Sequence, residues 1–323
     1  MKDIVLCLFA TAGFDKAAQG LTGAAQRLAA ESGGQVYAIL LGSGAQAIAA
    51  EIAPFVPTVL LGDQAELAEY QPEVCLDLLV QICGKLQPRA ILLSSDTYSQ
   101  ELAPRLAHRL AGSAVGDGIA LTMNDGALRI TRQVYGGKAQ AVIEMKRTPA
   151  VAWLRGNSFA PATAAAVSGE IKSIAETPKS DLRSRIVERK REDTGELRLE
   201  DARVIVAGGR GVGGPDPFKT ELRPLADLLG AQVAATRAAC DAGWVPANWQ
   251  VGQTGKHVAP DLYLAVGLSG ASQHLAGISE ARNIAAINTD PEANIFKHCQ
   301  FGIVGDFRKV VPLLRQKLEA LSK

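Results

Sequence analysis

Short apolar segments recur along the first hundred residues, and each ends in glycine, serine, alanine or aspartate. Alanine-rich and leucine-rich stretches of helical composition separate them, and this rhythm of βαβ units predicts a parallel sheet. The predicted strands are 4–10, 36–42, 58–63 and 90–96. The amphipathic segment 101–112 follows and predicts a helix with Pro104 in its first turn, where a proline ring is tolerated.

Residues 119–145 show a different pattern, in which apolar and polar positions alternate. The sequences Asn-Asp-Gly at 124–126 and Gly-Gly at 136–137 divide this segment, and both are typical of β-hairpin turns. We therefore expect an antiparallel excursion from the parallel sheet, followed by one more strand at 149–156. Charged residues dominate 191–201, and because such a stretch cannot form a core we interpret it as a linker.

A second series of apolar segments begins at residue 202. Its first strand runs into the glycine-rich sequence GRGVGG at 209–214, and 218–230 predicts a helix that stops at Gly230. Each later strand ends in Gly, Thr, Asn or Asp. These strands are 232–236, 261–267, 284–288 and 301–306. An amphipathic helix at 307–321 follows the last strand.

The two series together predict an α/β protein of two domains. The N-terminal domain, residues 1–190, is expected to contain the parallel sheet with its antiparallel excursion. Residues 191–201 are the expected linker, and residues 202–323 predict a Rossmann-like, doubly wound domain. At 323 residues the chain is long enough to give each domain its own core.

The chain carries almost no net charge. Its 34 basic and 33 acidic residues give a formal charge of +1, which offers no electrostatic excess for a nucleic-acid backbone or an anionic membrane. The five cysteines have no CxxC spacing, which argues against disulfides, iron–sulfur clusters and zinc sites and favours a reducing, cytoplasmic location. The apolar segment 4–10 is too short to span a bilayer, so no transmembrane segment is expected.

Glycine or polar residues occur at six places that are expected to follow strands of the second series. In a parallel sheet the carboxyl ends of the strands meet at one edge, where ligands bind, so these places predict a site for a long ligand. They are 208–214, 236–237, 252–255, 267–274, 288–290 and 305–306. No nucleophile–base pair or metal cage is evident among them, which favours a cofactor that performs its own chemistry.

Three sequences in this region resemble known nucleotide-binding or catalytic motifs. Gly209–Gly214 fits G-x-G-x-x-G after a strand, but Arg237 stands near the position of the acidic ribose partner of an NAD site. GQTGK at 252–256 lacks the spacing and hydroxyl residue of a P-loop, and GLSG at 267–270 misses the G-x-S-x-G elbow by one position. His274 opens a helix after the glycine–serine loop, where a side-chain N–H can point at a ligand.

Longer segments of the chain resemble the α subunit of electron transfer flavoprotein. The most specific are TRAACDAGWVPANWQVGQTGKHVAPDLYLAVGLSGASQHLAGI at 236–278, AAINTDPEANIF at 285–296 and GIVGDFRKVVPLL at 302–314. ELAPRLAHRLAGSAVGDGIAL at 101–121 resembles the family's N-terminal domain more loosely. The resemblance covers nearly the whole chain and implies that the second domain binds FAD.

The resemblance also implies where FAD would lie. Its pyrophosphate and adenosine would lie along the loop 269–273, Asn288 and Asp306. The flavin ring would lie near Arg237, Gln253, Thr254 and His274, and Arg210 would also face the cofactor. Thr254 would hydrogen-bond flavin N5, and His274 would approach the O2 edge. The complete set implied to bind the cofactor is Arg210, Thr236, Arg237, Gln250, Val251, Gly252, Gln253, Thr254, Gly267, Ser269, Gly270, Ala271, Ser272, Gln273, His274, Asn288, Asp290 and Asp306.

A heterodimer is a further implication of the resemblance. The partner would be the β subunit, which carries AMP or, in electron-bifurcating members, a second FAD. The chain would be an electron carrier without substrate turnover of its own, taking electrons from flavin dehydrogenases to a quinone reductase or another acceptor, in the bacterial cytoplasm or an organellar matrix. The chain departs from the family's pattern at Thr236, where serine is common, and at Thr289 and Asn294, where lysine and proline are expected.

Other functions fit parts of the sequence. A nicotinamide-dependent dehydrogenase would use GRGVGG at 209–214 with Arg237 on a 2′-phosphate. A non-catalytic nucleotide-binding module would need only the strand-end loops. Within the flavoprotein family, the alternative is the subunit of an electron-bifurcating pair.

Overall fold

The structure is a computed structural model that describes residues 2–124, 126–135, 139–178, 186–188 and 199–321. These residues form two compact units, the first made mainly of residues up to 188 and the second mainly of residues from 199 onward. Within the described residues, each unit is built on its own largely parallel sheet. The predicted α/β class with two sheets is therefore confirmed.

The first unit alternates strands and helices up to β4 and then becomes mainly β. Its elements are β1 (Ile4–Phe9), α1 (Lys16–Ser32), β2 (Val36–Leu41), α2 (Gln46–Ile52), β3 (Thr58–Gly62), α3 (Pro72–Leu86), β4 (Ala90–Ser94), α4 (Thr97–Arg109), β5 (Ser113–Asn124), β6 (Ala127–Val134), β7 (Ala139–Met145), β8 (Ala150–Leu154) and β9 (Glu170–Ser173). The sheet order is β7-β6-β5-β8-β4-β1-β2-β3-β9. Buried clusters cover both faces of β1, β2 and β4, which explains why these strands are apolar at nearly every position.

The predicted antiparallel excursion consists of β5, β6 and β7. Strand β5 pairs with β6 in antiparallel register, while its first residues pair in parallel with β8. The excursion therefore extends the parallel sheet. The predicted Asn-Asp-Gly turn is described except for Asp125, and the predicted Gly-Gly turn at 136–137 lies outside the described residues.

Helix α4 begins earlier than the sequence pattern predicts. The Asp96 carboxylate accepts hydrogen bonds from the Ser99 N–H (2.8 Å) and hydroxyl (2.9 Å), so the helix is capped there and starts at Thr97. Pro104 consequently lies in the helix interior. Its predicted place in the first turn is wrong, because the capping bonds stabilise one more turn before it.

The predicted linker at 191–201 lies mostly outside the described residues. Its last part, Leu199–Asp201, forms a 3-10 turn, and Leu199 is buried in the core of the second unit. Glu200 also forms an ion pair with Lys256 (2.9 Å). The second unit therefore includes Leu199, and the remaining domain boundaries stay a proposal.

The second unit is a smaller α/β unit. Its elements are β10 (Val204–Gly208), α5 (Arg223–Leu229), β11 (Gln232–Ala235), α6 (Arg237–Asp241), β12 (Leu262–Val266), α7 (Ser272–Ala276), β13 (Ile284–Asn288), β14 (Phe301–Val304) and α8 (Phe307–Leu321). A π-helical turn at Phe218–Leu222 leads directly into α5. No helix in the described part of the chain combines the length and the apolar composition that crossing a membrane requires.

The second sheet has a reversal in its winding. Its strands are all parallel, in the order β11-β10-β12-β13-β14. The chain moves outward from β10 to β11 and then returns to the other side of β10 for β12. The carboxyl ends of β10 and β12 therefore flank the crevice where sheets of this winding bind ligands. Pairing of Gly208 with Val266 brings these two ends level.

Candidate functional site

In the loop 267–271, which follows β12, the backbone carbonyl groups are hydrogen-bonded within the protein but most of the N–H groups are not. All five of its carbonyl oxygens accept a hydrogen bond from the protein. The donors are, in order, Gly211 N–H (3.0 Å), Asn288 Nδ2 (2.7 Å), Ile295 N–H (3.2 Å), Asn294 Nδ2 (2.6 Å) and His274 N–H (2.9 Å). In contrast, the N–H groups of 268–273 donate no hydrogen bond to any described residue. Unpaired donors are what an anionic group such as phosphate requires of a backbone loop.

Glycines let the end of β10 approach this loop. Gly209 N–H donates to the Val266 carbonyl (2.9 Å), and a Cβ on Gly209 would lie 2.3 Å from the oxygen of Gly267. Gly267 itself has φ 62, and a Cβ there would lie 2.9 Å from the carbonyl carbon of Gly211. Gly209 and Gly211 therefore allow close contact between the two loops, and Arg210 between them is exposed.

The segment 250–256 is a closed turn beside the sheet. The sequence pattern counts residues 252–255 among the strand ends, which is wrong, because the segment pairs with the end of β11 only by the isolated bridge between Ala235 and Gln250. Val251 N–H donates to the last carbonyl of β11 (3.0 Å), and Gln253 N–H donates to the Gln273 carbonyl in α7 (2.7 Å). These bonds bring the exposed Gln253 and Thr254 next to the loop 267–271.

The end of β11 carries one unsatisfied hydroxyl. Thr236 Oγ1 is buried and has no hydrogen-bond partner among the described residues. The adjacent Arg237 starts α6 and forms an ion pair with Asp241 (3.2 Å), with 66% of the Arg237 side chain exposed. A buried hydroxyl without a partner costs free energy unless something else bonds it, so Thr236 is suited to bind a ligand.

Tyr263 and His274 form a buried polar pair beneath the loop. The Tyr263 hydroxyl lies 2.9 Å from His274 Nε2, and His274 Nδ1 is buried. Burial lowers the pKa of His274 to about 4, against the smaller opposing effect of a hydrogen bond with the Val251 backbone. His274 is therefore neutral near pH 7. Tyr263 is absent from the predicted site, although a tyrosine in an otherwise aliphatic buried strand signals a hydroxyl that needs a partner.

The polar side chains at the ends of β13 and β14 each accept a hydrogen bond from a backbone N–H of the turn that follows. Asn288 Oδ1 accepts from the Asp290 N–H (3.0 Å), and Asp306 Oδ1 accepts from the Arg308 N–H (2.9 Å). Asp306 lies at the outer strand, farthest from Thr236. Since four strand spacings separate β11 from β14, the polar edge is about 19 Å wide, which fits an elongated ligand.

Two family models match the chain. The electron transfer flavoprotein domain matches residues 8–179, which is more than half of the chain, and the electron transfer flavoprotein FAD-binding domain matches 198–279. The chain belongs to the electron transfer flavoprotein family. The second match contains the loop 267–271, the turn 250–256 and the Tyr263–His274 pair.

Curated relatives identify the subunit type within the electron transfer flavoprotein family. The electron transfer flavoprotein subunit alpha of Thermoanaerobacterium thermosaccharolyticum is 37% identical over 94% of this chain and 93% of its own length. The Bacillus subtilis subunit alpha is 38% identical, over 80% of each chain. The mitochondrial subunit alpha of Arabidopsis thaliana is 40% identical, over 71% of this chain and 64% of its own. The prediction of an electron transfer flavoprotein alpha subunit is confirmed.

The residues present fit a flavin dinucleotide. The loop 267–271 offers unpaired N–H groups for a pyrophosphate, and Thr236 offers a buried hydroxyl that no described residue bonds. Within the described residues, no group of three His, Cys, Asp or Glu side chains could hold a metal ion. The contact of each predicted residue with the cofactor stays a prediction.

Replacing Asn294 with alanine should loosen the loop 267–271. The Gly270 carbonyl loses its donor, so we expect a stability loss of about 1 kcal/mol, faster amide hydrogen exchange in this loop and weaker flavin retention. Asn283→Ala is the matched control, because Asn283 Nδ2 donates to the Asp261 carbonyl (3.0 Å) at the opposite edge of the sheet. Equal flavin retention in the two variants would contradict a role for Asn294 in the site.

The buried His274 should make stability depend on pH. Its folded pKa of about 4 lies below the unfolded value of about 6.5, so the unfolded state takes up the proton first. Stability should be unaffected above pH 6.5, fall by up to about 3 kcal/mol between pH 6.5 and 4, and lose no more below pH 4. Denaturant unfolding of flavin-free protein, compared with His274→Gln at each pH, measures this term. Parallel pH profiles would show that His274 does not titrate in this range on unfolding.

Proposed function

We propose that this alpha subunit binds FAD along the carboxyl edge of its second sheet and carries electrons as a heterodimer with a beta subunit. The uneven hydrogen bonding of the loop 267–271 is the observation that carries the proposal. With every carbonyl already bonded, the loop has only donors left to offer. A pyrophosphate offers several acceptor oxygens to such donors, and its negative charge strengthens each of these hydrogen bonds.

Each part of the edge would hold a different part of the cofactor. The segment 269–273 would hold the pyrophosphate, with Asn288 and Asp306 toward the adenosine. Thr254, His274 and Arg237 would surround the flavin ring, and when bound, FAD supplies the redox chemistry. The protein's own groups orient the ring: Thr254 and His274 through hydrogen bonds, Arg237 through a fixed positive charge.

The role of the chain would be that of a carrier between enzymes. Electrons would come from flavin dehydrogenases and pass to a quinone reductase or another acceptor, in the cytoplasm or an organellar matrix. The beta subunit would carry AMP. Alpha-subunit relatives and the FAD-binding match support this role, while an electron-bifurcating pair with a second FAD remains the alternative.

The test is to express the chain with and without its beta subunit and to count released FAD and AMP per heterodimer. We expect one FAD and one AMP, and no stable FAD-loaded monomer. Two FAD molecules would indicate a bifurcating pair. A stable alpha monomer with one tightly bound FAD would contradict the need for a beta subunit.

A pair of glycine variants tests whether the FAD of the heterodimer binds at the loop 267–271. Gly270 has φ 76, and a Cβ there would lie 2.3 Å from the Ile295 nitrogen, whereas Gly230 has φ 60 and open space around it. Both alanine variants carry backbone strain, but only Gly270→Ala displaces the loop 267–271. We expect Gly270→Ala heterodimer to lose FAD and Gly230→Ala heterodimer to keep it. FAD retained by both would place the pyrophosphate elsewhere.

Two substitutions on α6 test the charge of Arg237. A fixed cation stabilises the more negative, reduced cofactor, so Arg237→Ala should lower the first reduction potential. Asp241→Asn releases Arg237 from its ion pair and should raise that potential. Because both side chains are exposed, each effect should be about 1 kcal/mol or less. Spectroelectrochemical titration measures the potentials, and unchanged values in both variants would remove Arg237 from the tuning role.

A further inference from the structure

Lys256 closes the turn 250–256 and also connects it to another segment of the second unit. Its backbone N–H donates to the Gln250 carbonyl (2.8 Å), and its carbonyl accepts a hydrogen bond from the Gly252 N–H (3.1 Å). Its side chain leaves the turn, and Nζ donates to the Glu200 carboxylate (2.9 Å). Two of the bonds that close the turn and the ion pair therefore depend on the position of one residue.

The partner carboxylate belongs to a segment whose backbone is fixed by burial. Glu200 lies between Leu199 and Ala202, which are both buried. These two residues belong to the same core cluster as Val251 of the turn 250–256. Packing of this cluster therefore holds both backbones that carry the two charges, and the ion pair forms between segments that are already in place.

Water has limited access to this ion pair. The exposed fractions are 28% for the Lys256 side chain and 37% for Glu200, whereas Arg203 in its pair with Asp261 is 87% exposed. Exposed ion pairs contribute little, because water screens the charges and because two mobile side chains must be ordered. Both effects are smaller for Lys256 and Glu200, so their ion pair is suited to hold the turn in place.

Helix α7 supplies a second anchor for the turn. Gln253 N–H donates to the Gln273 carbonyl of this helix (2.7 Å). Within the turn, the side-chain amide of Gln250 donates to Thr254 Oγ1 (3.0 Å). Because the Gln250 carbonyl also accepts the Lys256 N–H, a displacement of Lys256 also displaces the residue that hydrogen-bonds the Thr254 hydroxyl.

We propose that Glu200 and Lys256 are positioning residues, whose ion pair keeps the turn 250–256 closed and thereby fixes Gln253 and Thr254 for the bound flavin. In this role neither charged group contacts the cofactor. The effect on the flavin rests on the proposed function, because it requires the flavin ring beside this turn. Closure of the turn by the ion pair does not depend on the flavin.

The first experiment measures the closure of the turn by amide hydrogen exchange of the heterodimer. Glu200→Gln removes the partner's charge and leaves the sequence of the turn unchanged, so the intrinsic exchange rates of its amides stay the same. We expect exchange in a peptide that contains 250–256 to become about threefold faster, as loss of a partly exposed ion pair implies.

The control for this experiment is Arg203→Gln. It removes the ion pair with Asp261 (2.8 Å) at the other edge of the same sheet and should leave exchange in the turn 250–256 unchanged. Equal exchange in the wild type and Glu200→Gln overturns the proposal. Equal acceleration in Glu200→Gln and Arg203→Gln overturns it as well, because the effect would then be a general loosening of the unit.

The second experiment distinguishes positioning from a direct effect of charge on the flavin. Lys256→Met removes a cation and Glu200→Gln removes an anion, so direct effects would shift the first reduction potential in opposite directions. If the ion pair positions the turn, both variants should shift the potential in the same direction, because each one opens the same turn. We expect a change of about threefold in the first reduction equilibrium, measured by spectroelectrochemical titration of the FAD-loaded heterodimer.

The double variant completes the cycle. Two residues that act through one contact should give the same shift together as either gives alone. Opposite shifts that cancel in the double variant overturn the positioning role. Faster exchange with unchanged potentials overturns the claim that the turn fixes groups for the flavin. A heterodimer that binds no flavin refutes the proposed function, and hydrogen exchange then still decides whether the ion pair closes the turn.

Discussion

The second unit depends on one constraint of the backbone: a carbonyl oxygen removed from water needs a donor. In the loop 267–271 all five carbonyl oxygens have a donor. The donors come from the residues that follow β10, from the end of β13 and the segment after it, and from α7. Because these carbonyls are bonded within the protein, the N–H groups are the backbone groups left to bond a ligand. The polarity of the site is therefore a consequence of how the sheet edge is packed.

Burial and exposure determine the distribution of charge at the site. His274 is buried and neutral, so it contributes a dipole and no charge. Positive charge comes from Arg210 and Arg237, which are both exposed. The field of an exposed cation is weak in water and grows when water is excluded. A beta subunit that covers these arginines would strengthen their effect on a flavin without moving them.

The strands could be predicted from the sequence because parallel strands buried on both faces are apolar at nearly every position. β12 is such a strand, and the prediction of 261–267 exceeds its bounds by one residue at each end. Contacts that link distant parts of the chain could not be predicted. Asn294 reaches Gly270 across 24 residues, and no local pattern distinguishes a bonded asparagine from a solvated one. The sequence pattern places residues 252–255 at a strand end because a closed turn and a ligand loop need the same glycines.

Asn294 stands where the family resemblance implies proline. The difference concerns how readily the loop 267–271 opens. Proline would stiffen the segment after β13 through its ring, but its side chain could donate no hydrogen bond to the neighbouring loop 267–271. Asparagine gives a hydrogen bond (2.6 Å) to the Gly270 carbonyl, and a single hydrogen bond of this kind breaks and reforms readily because its net worth is small. Opening of this bond frees one side of the loop while the rest of the sheet stays folded. We therefore expect the residence time of a ligand on the loop to depend on this local opening, so that cofactor exchange would not require the unit to unfold.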